Sequence, residues 1–541
     1  MPPRPLTLLV SLLTMSAQAA PFSLDLRQRP ADQQNPAPTT QQADWNPAET
    51  AFVICDMWDS HHSVTAVRRV NEFAPRLNRV LAHARSRGAT IVHSPSDCMD
   101  AYADHPAREN ALATPTAPGT HADIATWCHR IPTEQAARYP IDQSDGGEDE
   151  SPWENDQWTA TLKTQGRNPG TPWLRQNALL DITGSDFIAA EGDIVWNVLH
   201  ARGIKHVVLA GVHTNMCVLG RPFGLRRMVA AGMDTVLLRD ATDVMYNPAR
   251  WPYVSHFTGI DLVIEHIETH VCPTITTDQF IGGTPFQFKH DRRPRLAILA
   301  PPESTLRTFA HDYLGQEFSV DVVATPQTDV ILQLTATTKH VPNAHLITLN
   351  TPPSAPSFTR SIRPDAGRLA TSARGTPDDL ADPEFKLALL NTIRWSADLA
   401  PLEALPETPD SRRIRESWSP ATLTDLPQSD SLWLRTLIPA APSPPPSFTW
   451  PSANAKAYIN GQQLTASKPG HWPIPPASWH SDQLNLLVVH TTTSLPTTTP
   501  TVGNTKLSTH WQAHSSKKQH TTFPIPPQFG APTDIIQPVT P

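Results

Sequence analysis

The alternation of short apolar runs with helix-periodic segments between residues 44 and 276 restricts the fold of this chain most strongly. The run AFVICD (51–56) is apolar up to its last residue, as a strand buried on both faces of a sheet requires. Residues 63–87 place apolar side chains three and four positions apart, which predicts an amphipathic helix that ends at Gly88. Repeated strand–helix–strand units predict a mostly parallel sheet covered by helices. Further strands are predicted at 90–95, 206–212, 235–240 and 261–268, further helices at 193–204 and 222–233, and a long irregular insert at 96–172.

The chain of 541 residues is too long for one core, and its pattern changes twice after this region. Apolar runs and helix-like segments continue from 291 to 402 and predict a smaller α/β domain. Short alternating strands separated by Pro, Gly, Ser and Asn predict a β-sandwich over 426–541. The predicted organisation is therefore a signal peptide (1–19), an N-terminal extension (20–45), the first α/β domain (46–285), the second α/β domain (291–402), a linker (403–425) and the sandwich (426–541).

The first twenty residues carry the three regions of a secretory signal peptide. Arg4 precedes an apolar stretch from Leu6 to about Met15, and Ala17 and Ala19 form an A-x-A cleavage pattern. We expect an exported chain, periplasmic or extracellular, that begins near Ala20. A buried N-terminal helix is the alternative.

Charge and hydropathy exclude several kinds of partner. The net charge is -8 and no long basic run occurs, which argues against nucleic acid as a ligand. No apolar run reaches the ~18 residues that a membrane span needs. Five cysteines leave at least one thiol unpaired, and a bond between Cys98 and Cys128 stays open.

Cys217 is the strongest candidate for chemistry. It follows the strand of residues 206–212 at the point where a helix is predicted to begin, where the helix dipole favours thiolate and free N–H groups can hold an oxyanion. A nucleophilic thiol also needs a base and a nearby cation. Asp56, at the end of the first strand, is the candidate base, and Arg175 is the candidate cation. The alternative is an inert buried thiol, with Asp56 serving as a helix cap.

At these residues the chain resembles the isochorismatase-like cysteine hydrolases, which include nicotinamidases and N-carbamoyl amidohydrolases. The matching pieces are FVICDMWDSHH, VVLAGVHTNMCV and VLLRDATD, spread over residues 46 to 276. The resemblance implies a three-layer α/β/α fold and a Cys–Asp–Lys triad, with Cys217 as nucleophile and Asp56 as general base. It also implies a cis peptide before His213 and an oxyanion hole formed by the N–H groups of His213 and Cys217.

The chain departs from the family pattern at two places. Arg175 stands where the family lysine usually lies, and Lys163 is twelve residues earlier. Arginine keeps the charge but does not give up a proton. Nicotinamidases bind a divalent ion through an Asp-x-His arrangement, but here Met99 stands where the histidine would be. We therefore expect no cofactor; His61, His62 and His93 are weak alternative metal ligands.

Other residues at the same end of the sheet are candidate substrate contacts, although packing or capping would explain each equally well. They are Trp58, His62, Asn215 and Arg221, and the side chain of His213 also belongs to this group.

The two C-terminal regions carry weaker resemblances. Residues 293–400 resemble trehalose-utilisation-type domains of the glutamine-amidotransferase-like fold, but no cysteine follows Cys272, so the region is interpreted as a degenerate module. Residues 426–541 resemble galactose-binding-like jelly rolls. Trp433, Trp472 and Trp511 are either sugar-stacking residues or core residues.

The main hypothesis from the sequence is an exported cysteine hydrolase that cleaves a small amide or related C–N bond through an acyl-enzyme. The alternative is a catalytically retired binding or scaffold protein, and carbohydrate binding through the C-terminal sandwich is one form of this alternative. The expected partner is a small-molecule substrate, and a homo-oligomer stays open.

Overall fold

The computed structural model describes residues 19–31, 37–120, 122–301, 303–334, 344–351, 357–362, 367–416, 419–421, 431–438, 441–451, 455–460, 462–479, 481, 485–491, 499–507 and 511–516. The predicted signal peptide lies outside these residues up to position 18. None of the described helices is long and apolar enough to cross a membrane. The chain divides into two compact units, residues 1–401 and residues 402–541.

The first unit contains two sheets with their helices. The helices are α1 (Val64–Ser86), α2 (Pro106–Leu112), α3 (Pro152–Thr164), α4 (Gly192–Ala201), α5 (Leu225–Ala230), α6 (His256–His270), α7 (Asp278–Ile281), α8 (Thr305–Tyr313) and α9 (Pro383–Ser396). The strands of the larger sheet are β1 (Phe22–Gln28), β2 (Thr39–Trp45), β3 (Thr50–Cys55), β4 (Thr90–Ser94), β5 (Phe187–Ile188), β6 (His206–Val212), β7 (Asp234–Asp243) and β8 (Thr274–Ile275). The strands of the smaller sheet are β9 (Arg295–Leu299), β10 (Ser319–Asp321), β11 (Val330–Gln333), β12 (His345–Thr348), β13 (Thr359–Ile362) and β14 (Arg368–Thr371).

The larger sheet has eight strands in the order β2-β1-β8-β7-β6-β3-β4-β5. The strands from β8 to β5 are parallel to one another, whereas β1 pairs antiparallel with β8 and β2. This confirms the predicted mixed α/β fold with a mostly parallel sheet.

The sheet is buried on both faces, which makes three layers. In β3 the side chains alternate between two cores: Val53 packs with α4, α5 and α6 on one face, and Phe52 packs with α1 on the other. All six residues of β3 are buried, as the continuous apolar run predicts.

Three parts of the first domain differ from the prediction. The expected N-terminal extension supplies β1 and β2, and β1 buries Phe22 and Leu24 in alternation with exposed Ser23 and Asp25. The predicted strand at 261–268 is wrong, because these residues lie inside α6, which begins after the N-cap Ser255. The expected irregular insert contains α2 and α3.

The second α/β domain has a six-stranded sheet in the order β10-β9-β11-β12-β14-β13, parallel except for β13. The chain moves outward from β9 in one direction to β10 and in the other to β11. This is the strand order of a doubly wound sheet, and α8 and α9 lie in the helical segments that the sequence predicts.

The C-terminal unit begins with α10 (Pro409–Glu416) and β15 (Ser419–Ala421), both inside the predicted linker. It holds two sheets, a six-stranded one and a four-stranded one, whose pairings are antiparallel among the described residues. Besides β15, their strands are β16 (Ser431–Ile438), β17 (Ser447–Thr449), β18 (Lys456–Ile459), β19 (Gln462–Gln463), β20 (His471–Pro473), β21 (Asn485–Thr491), β22 (Thr501–Val502), β23 (Thr505–Lys506) and β24 (Trp511–Ser516).

The three tryptophans proposed as sugar-stacking residues are core residues. Trp433 and Trp472 are each 2% exposed and Trp511 is 1% exposed. Trp472 and Trp511 belong to an apolar cluster shared by the two sheets, and Trp433 stacks on His490. Their faces are therefore closed to a glycan.

Gly211 is the position where the first domain tolerates a side chain least. It lies in β6 at a φ of +110°, and a Cβ there would approach the Cys55 carbonyl oxygen of β3 to 2.0 Å. We expect Gly211→Ala to lower the free energy of unfolding by at least about 3 kcal/mol, since it adds a backbone clash to an unfavourable φ.

Gly203→Ala is the matched control, because Gly203 has a φ of +63° and open space around its missing Cβ. Gly203→Ala should lower the free energy of unfolding by only about 1 kcal/mol. Equal losses for the two variants in denaturant unfolding would contradict the close approach of β6 to β3.

Candidate active site

The candidate site lies at the point where the strand order of the larger sheet reverses, between β3 and β6. The chain moves from β3 outward to β4 on one side, while β6 pairs with β3 on the other. The register pairs Cys55 of β3 with Gly211 of β6, so the residues that follow the two strands emerge side by side. Ligand sites of doubly wound sheets occur at the carboxyl ends of the strands at such a switch point. The fold therefore brings Asp56 and Cys217 together.

Asp56 is held in a fixed position by its backbone and by both carboxylate oxygens. It is fully buried and has a φ of +47°, in the left-handed region that non-glycine residues adopt rarely. Oδ1 accepts the backbone N–H of Ser96 at 2.8 Å, and Oδ2 accepts Nε of Arg221 at 3.0 Å. Burial raises the pKa of the Asp56 carboxyl, and the Arg221 charge opposes this rise.

Cys217 interacts with Asp56 from a short π-helical turn, Thr214–Val218, that follows β6. The longer helix α5 begins only at Leu225, so the thiol lies in the first turn of a short helical segment and not at the start of α5. Burial, and next the Asp56 charge, raise the pKa of the Cys217 thiol, while Arg221 opposes them. Burial therefore favours the neutral thiol of Cys217, which differs from the thiolate that the sequence predicts.

The cation beside Asp56 is Arg221 and not Arg175. Arg221 follows Cys217 by four residues, and its backbone N–H donates to the Cys217 carbonyl at 2.9 Å. Its Nη2 also lies 3.5 Å from Oδ2 of Asp97. The side chain of Arg175 is exposed, while its backbone N–H and carbonyl bond to Asp59. Lys163 is exposed on α3 as well.

The insert covers the turn that carries Cys217. The guanidinium of Arg221 lies 5.5 Å from the ring centre of Trp127, within cation–π distance. The Trp127 ring also fills the place of a Gly220 side chain, since a Cβ there would come within 2.4 Å of the indole. Cys128 donates its backbone N–H to the Gly220 carbonyl at 2.8 Å. Sequence reasoning missed this contact, which joins segments almost a hundred residues apart.

Aromatic side chains form the other wall. Trp58 is buried and stacks on Trp173 with ring centres 4.4 Å apart, and both pack in the apolar cluster that Cys217 contacts. His61 lies against His213 with ring centres 4.8 Å apart. Burial lowers the pKa of His213 to about 4, so its ring is neutral at pH 7. Its Nε2 has no hydrogen-bond partner among the described residues.

The three weak metal candidates do not converge on one point. His93 is engaged by Gln176 at 3.0 Å and by Asp186 at 3.4 Å. The ring centres of His61 and His62 lie 3.9 Å apart with an angle of 35° between the rings, and His62 faces Glu148 at 3.4 Å. In the described part of the chain, no group of three His, Cys, Asp or Glu side chains is arranged to hold a metal ion.

The loop before Cys217 is held by polar contacts. The side chain of Asn215, a candidate substrate contact, bonds to both backbone groups of Met245, at 2.8 Å each, which gives it a positioning role. The peptide between Val212 and His213 is cis, as the family resemblance implies.

All five cysteines are free thiols, so Cys98 and Cys128 are not bonded.

Comparison with known families bears on this part of the chain. Residues 182–251 match the family model of the isochorismatase domain. The matched stretch contains β6, Cys217 and Arg221, so the resemblance to isochorismatase-like cysteine hydrolases is supported at the level of fold. No curated protein matches the chain.

Several solved structures align with it. A cysteine hydrolase from Pseudomonas syringae pv. phaseolicola is 17% identical, with 44% of this chain and 92% of that chain covered and a TM-score of 0.27. An isochorismatase family protein from Desulfovibrio vulgaris is 14% identical, with coverages of 42% and 94% and a TM-score of 0.23. An isochorismatase from Pseudomonas putida KT2440 is 12% identical, with coverages of 43% and 91% and a TM-score of 0.25.

The charges around Cys217 predict an unusual effect of removing Asp56. Asp56→Asn takes away the negative charge that raises the Cys217 pKa, while Arg221 remains. We therefore expect Cys217 in this variant to react faster with iodoacetamide at pH 8, by about threefold for each unit that the thiol pKa falls, because a more acidic thiol forms a less nucleophilic thiolate.

The readout is the alkylated fraction of Cys217 by peptide mass spectrometry. Buried Cys55 should stay unlabelled, which shows that the variant remains folded. Asp59→Asn is the matched control, since the Asp59 carboxylate pairs with Arg167. An unchanged or lower rate in Asp56→Asn would contradict the described electrostatics.

Proposed function

We propose that this protein is an exported cysteine hydrolase that cleaves a small amide or a related C–N bond. Cys217 is the nucleophile, Asp56 the general base and then acid, and Arg221 the cation that keeps Asp56 in place. The observation that carries the proposal is the placement of Cys217 and Asp56 just beyond two paired parallel strands, with the Asp56 carboxyl group fixed by Arg221 at 3.0 Å and by the Ser96 N–H at 2.8 Å.

The reaction begins from a neutral thiol. As the sulfur of Cys217 attacks the substrate carbonyl carbon, Asp56 accepts the thiol proton, and the carbonyl oxygen becomes an oxyanion. We assign the N–H groups of His213 and Cys217 to that oxyanion. Asp56 then gives its proton to the leaving nitrogen, the C–N bond breaks, and a thioester remains on Cys217. Asp56 next takes a proton from water, the hydroxide attacks the thioester, and the proton returns to the sulfur as the carboxylic acid leaves.

Arg221 takes the electrostatic part of the lysine in the family triad. Its guanidinium stays protonated at any working pH, so it transfers no proton. Its ion pair instead offsets the burial that raises the pKa of Asp56. A fully buried carboxylate without that partner would become protonated and could not accept the thiol proton.

One observation favours the alternative of a retired domain. The pKa of Cys217 is raised, so little of the thiol is ionised in the resting state. The carbohydrate-binding form of this alternative loses its sequence support, because Trp433, Trp472 and Trp511 are buried.

Turnover by wild type and variants on a panel of small primary amides and N-carbamoyl compounds tests the proposal. We expect ammonia release by the wild type and a loss of at least about a thousandfold in kcat for Cys217→Ala. Arg221→Gln should lower kcat/KM by about a hundredfold, and Arg221→Lys by less, because lysine keeps the charge. Arg175→Gln, which removes an exposed charge, should stay within about twofold.

Acid quenching during turnover should trap an acyl group on Cys217, visible as a mass increase. Equal ammonia release by wild type and Cys217→Ala would refute the proposal. The absence of turnover on every compound, with no mass increase, would favour the retired domain.

Export is a separate part of the proposal, supported by the first twenty residues. When the full chain is expressed in a Gram-negative host, the mature protein should be found outside the cytoplasm and begin near Ala20, as N-terminal sequencing would show. Replacing Leu8 and Leu9 by Asp should retain the uncleaved chain in the cytoplasm. A chain that keeps residue 1 and stays cytoplasmic without this change would overturn export.

A further inference from the structure

A cavity of about 350 Å³ lies between the two α/β domains of the first unit. The first domain contributes α6 and the segments near Pro140 and Pro252, and the second contributes α8 and β10. The volume falls in the range of small-molecule sites, about 300–1,000 Å³. Much of the lining is apolar: Pro140, Pro252, Val254, Leu262, Ala310 and Val320.

The two domains contact each other at one end of the cavity. Thr258 of α6 donates its hydroxyl to the Gly315 carbonyl at 2.6 Å, and the Ser255 N–H donates to the same oxygen at 3.2 Å. Gly315 approaches so closely that a Cβ would come within 2.6 Å of Val254. The two domains therefore meet at α6 and at the end of α8, and the cavity continues from this contact.

Arg307 is a buried cation that lines this cavity without an acidic partner. It lies in the first turn of α8, next to the carboxyl end of β9, and is 8% exposed. One of its nitrogens, Nη2, donates to the Ala300 carbonyl at 2.9 Å, while Nε has no partner among the described residues. No carboxylate in the described part of the chain lies within 4.0 Å of it. Burial lowers the pKa of Arg307, and the charges of Asp321 and Glu265 act on it only from a distance.

The acidic groups nearest to the cavity are already neutralised. Glu265 pairs with Arg29 at 2.9 Å, and Asp261 pairs with Arg293 at 3.0 Å. A buried guanidinium without a counter-charge lowers the stability of the fold. A bound anion that accepts two hydrogen bonds from the guanidinium would offset this cost. The end of the cavity at Arg307 thus suits an anionic head, and the apolar walls suit a hydrocarbon or aromatic body.

We propose that this cavity binds a small organic anion, with its carboxylate or phosphate head on Arg307 and its apolar body against Val254, Leu262 and Val320. The site is separate from Cys217 and gives the second α/β domain a ligand-binding role although it has no cysteine. Binding does not depend on hydrolysis.

Calorimetric titration of the full mature chain tests the site. The probes are octanoate, octyl phosphate and uncharged octanol. At least one of the two anions should bind, and at least about tenfold more tightly than octanol, because the charge-assisted hydrogen bonds are lost with the alcohol. The anion that binds identifies the preferred head group.

Three variants separate charge from shape. Arg307→Gln should weaken binding of the anion by at least about tenfold and leave octanol unchanged. Ala310→Leu fills the cavity without touching the charge, so it should weaken all probes, and it keeps the test valid if Arg307→Gln does not fold. Arg360→Gln, on exposed β13 of the same domain, is the matched control and should bind like the wild type.

Cys217→Ala should also bind the anion like the wild type, which makes this outcome independent of catalysis. The proposal is overturned if neither anion binds at millimolar concentration. It is equally overturned if Arg307→Gln and Ala310→Leu, both folded, bind the anions with wild-type affinity.

Discussion

The pairing of β3 with β6 is the constraint on which the candidate site depends. Because Cys55 lies opposite Gly211, the chain segments that leave both strands start at the same level of the sheet. Gly211 allows the backbones to approach, since its missing side chain would occupy the position of the Cys55 carbonyl. Asp56 and the turn that carries Cys217 therefore emerge side by side from the sheet. A shift of one residue in this register would send Asp56 to a different level and turn its side chain toward the other face.

Burial creates the chemical problem of this site, and Arg221 reduces it. Burial raises the pKa values of both Asp56 and Cys217 and so favours the protonated form of each group. The ion pair favours the carboxylate form of Asp56, which leaves one proton on the thiol. That arrangement keeps the thiol protected from oxidants and electrophiles in the resting state. In the proposed mechanism it becomes nucleophilic as Asp56 accepts its proton and a substrate carbonyl accepts the electron pair.

The parts of the fold that the sequence predicts well are those with strong local patterns. The fully apolar runs of β3 and β6 and the long periodicity of α1 depend on burial alone, and all three lie where they are expected. The sequence of α6 was misread, because the short window 261–268 holds an apolar run that a strand would also show. The helical spacing becomes clear only when the window begins at the N-cap Ser255. The alternation of β1 is a two-residue pattern over a short segment and was missed for a similar reason.

The site was predictable in part. Asp56 and Cys217 follow from strand ends, whereas the choice between Arg175 and Arg221 depends on where side chains point. The spacing of four residues between Cys217 and Arg221 was a usable signal, since it places both on one face of a helical turn. By contrast, the position of Trp127 over Gly220 arises from an insert whose path no local pattern describes. The burial of Trp433 likewise depends on how two distant strands flank it.

Arg221 interacts both with Asp56 and with residues of the insert. Arg221 bonds to Asp56 and to Asp97, and its guanidinium lies against Trp127, while the neighbouring Ser96 N–H holds the other oxygen of Asp56. The insert thus belongs to the electrostatic environment of the base. A change in the insert at Ser96, Asp97 or Trp127 therefore alters the surroundings of the Asp56 carboxyl group directly, although these residues are far from Cys217 in the sequence.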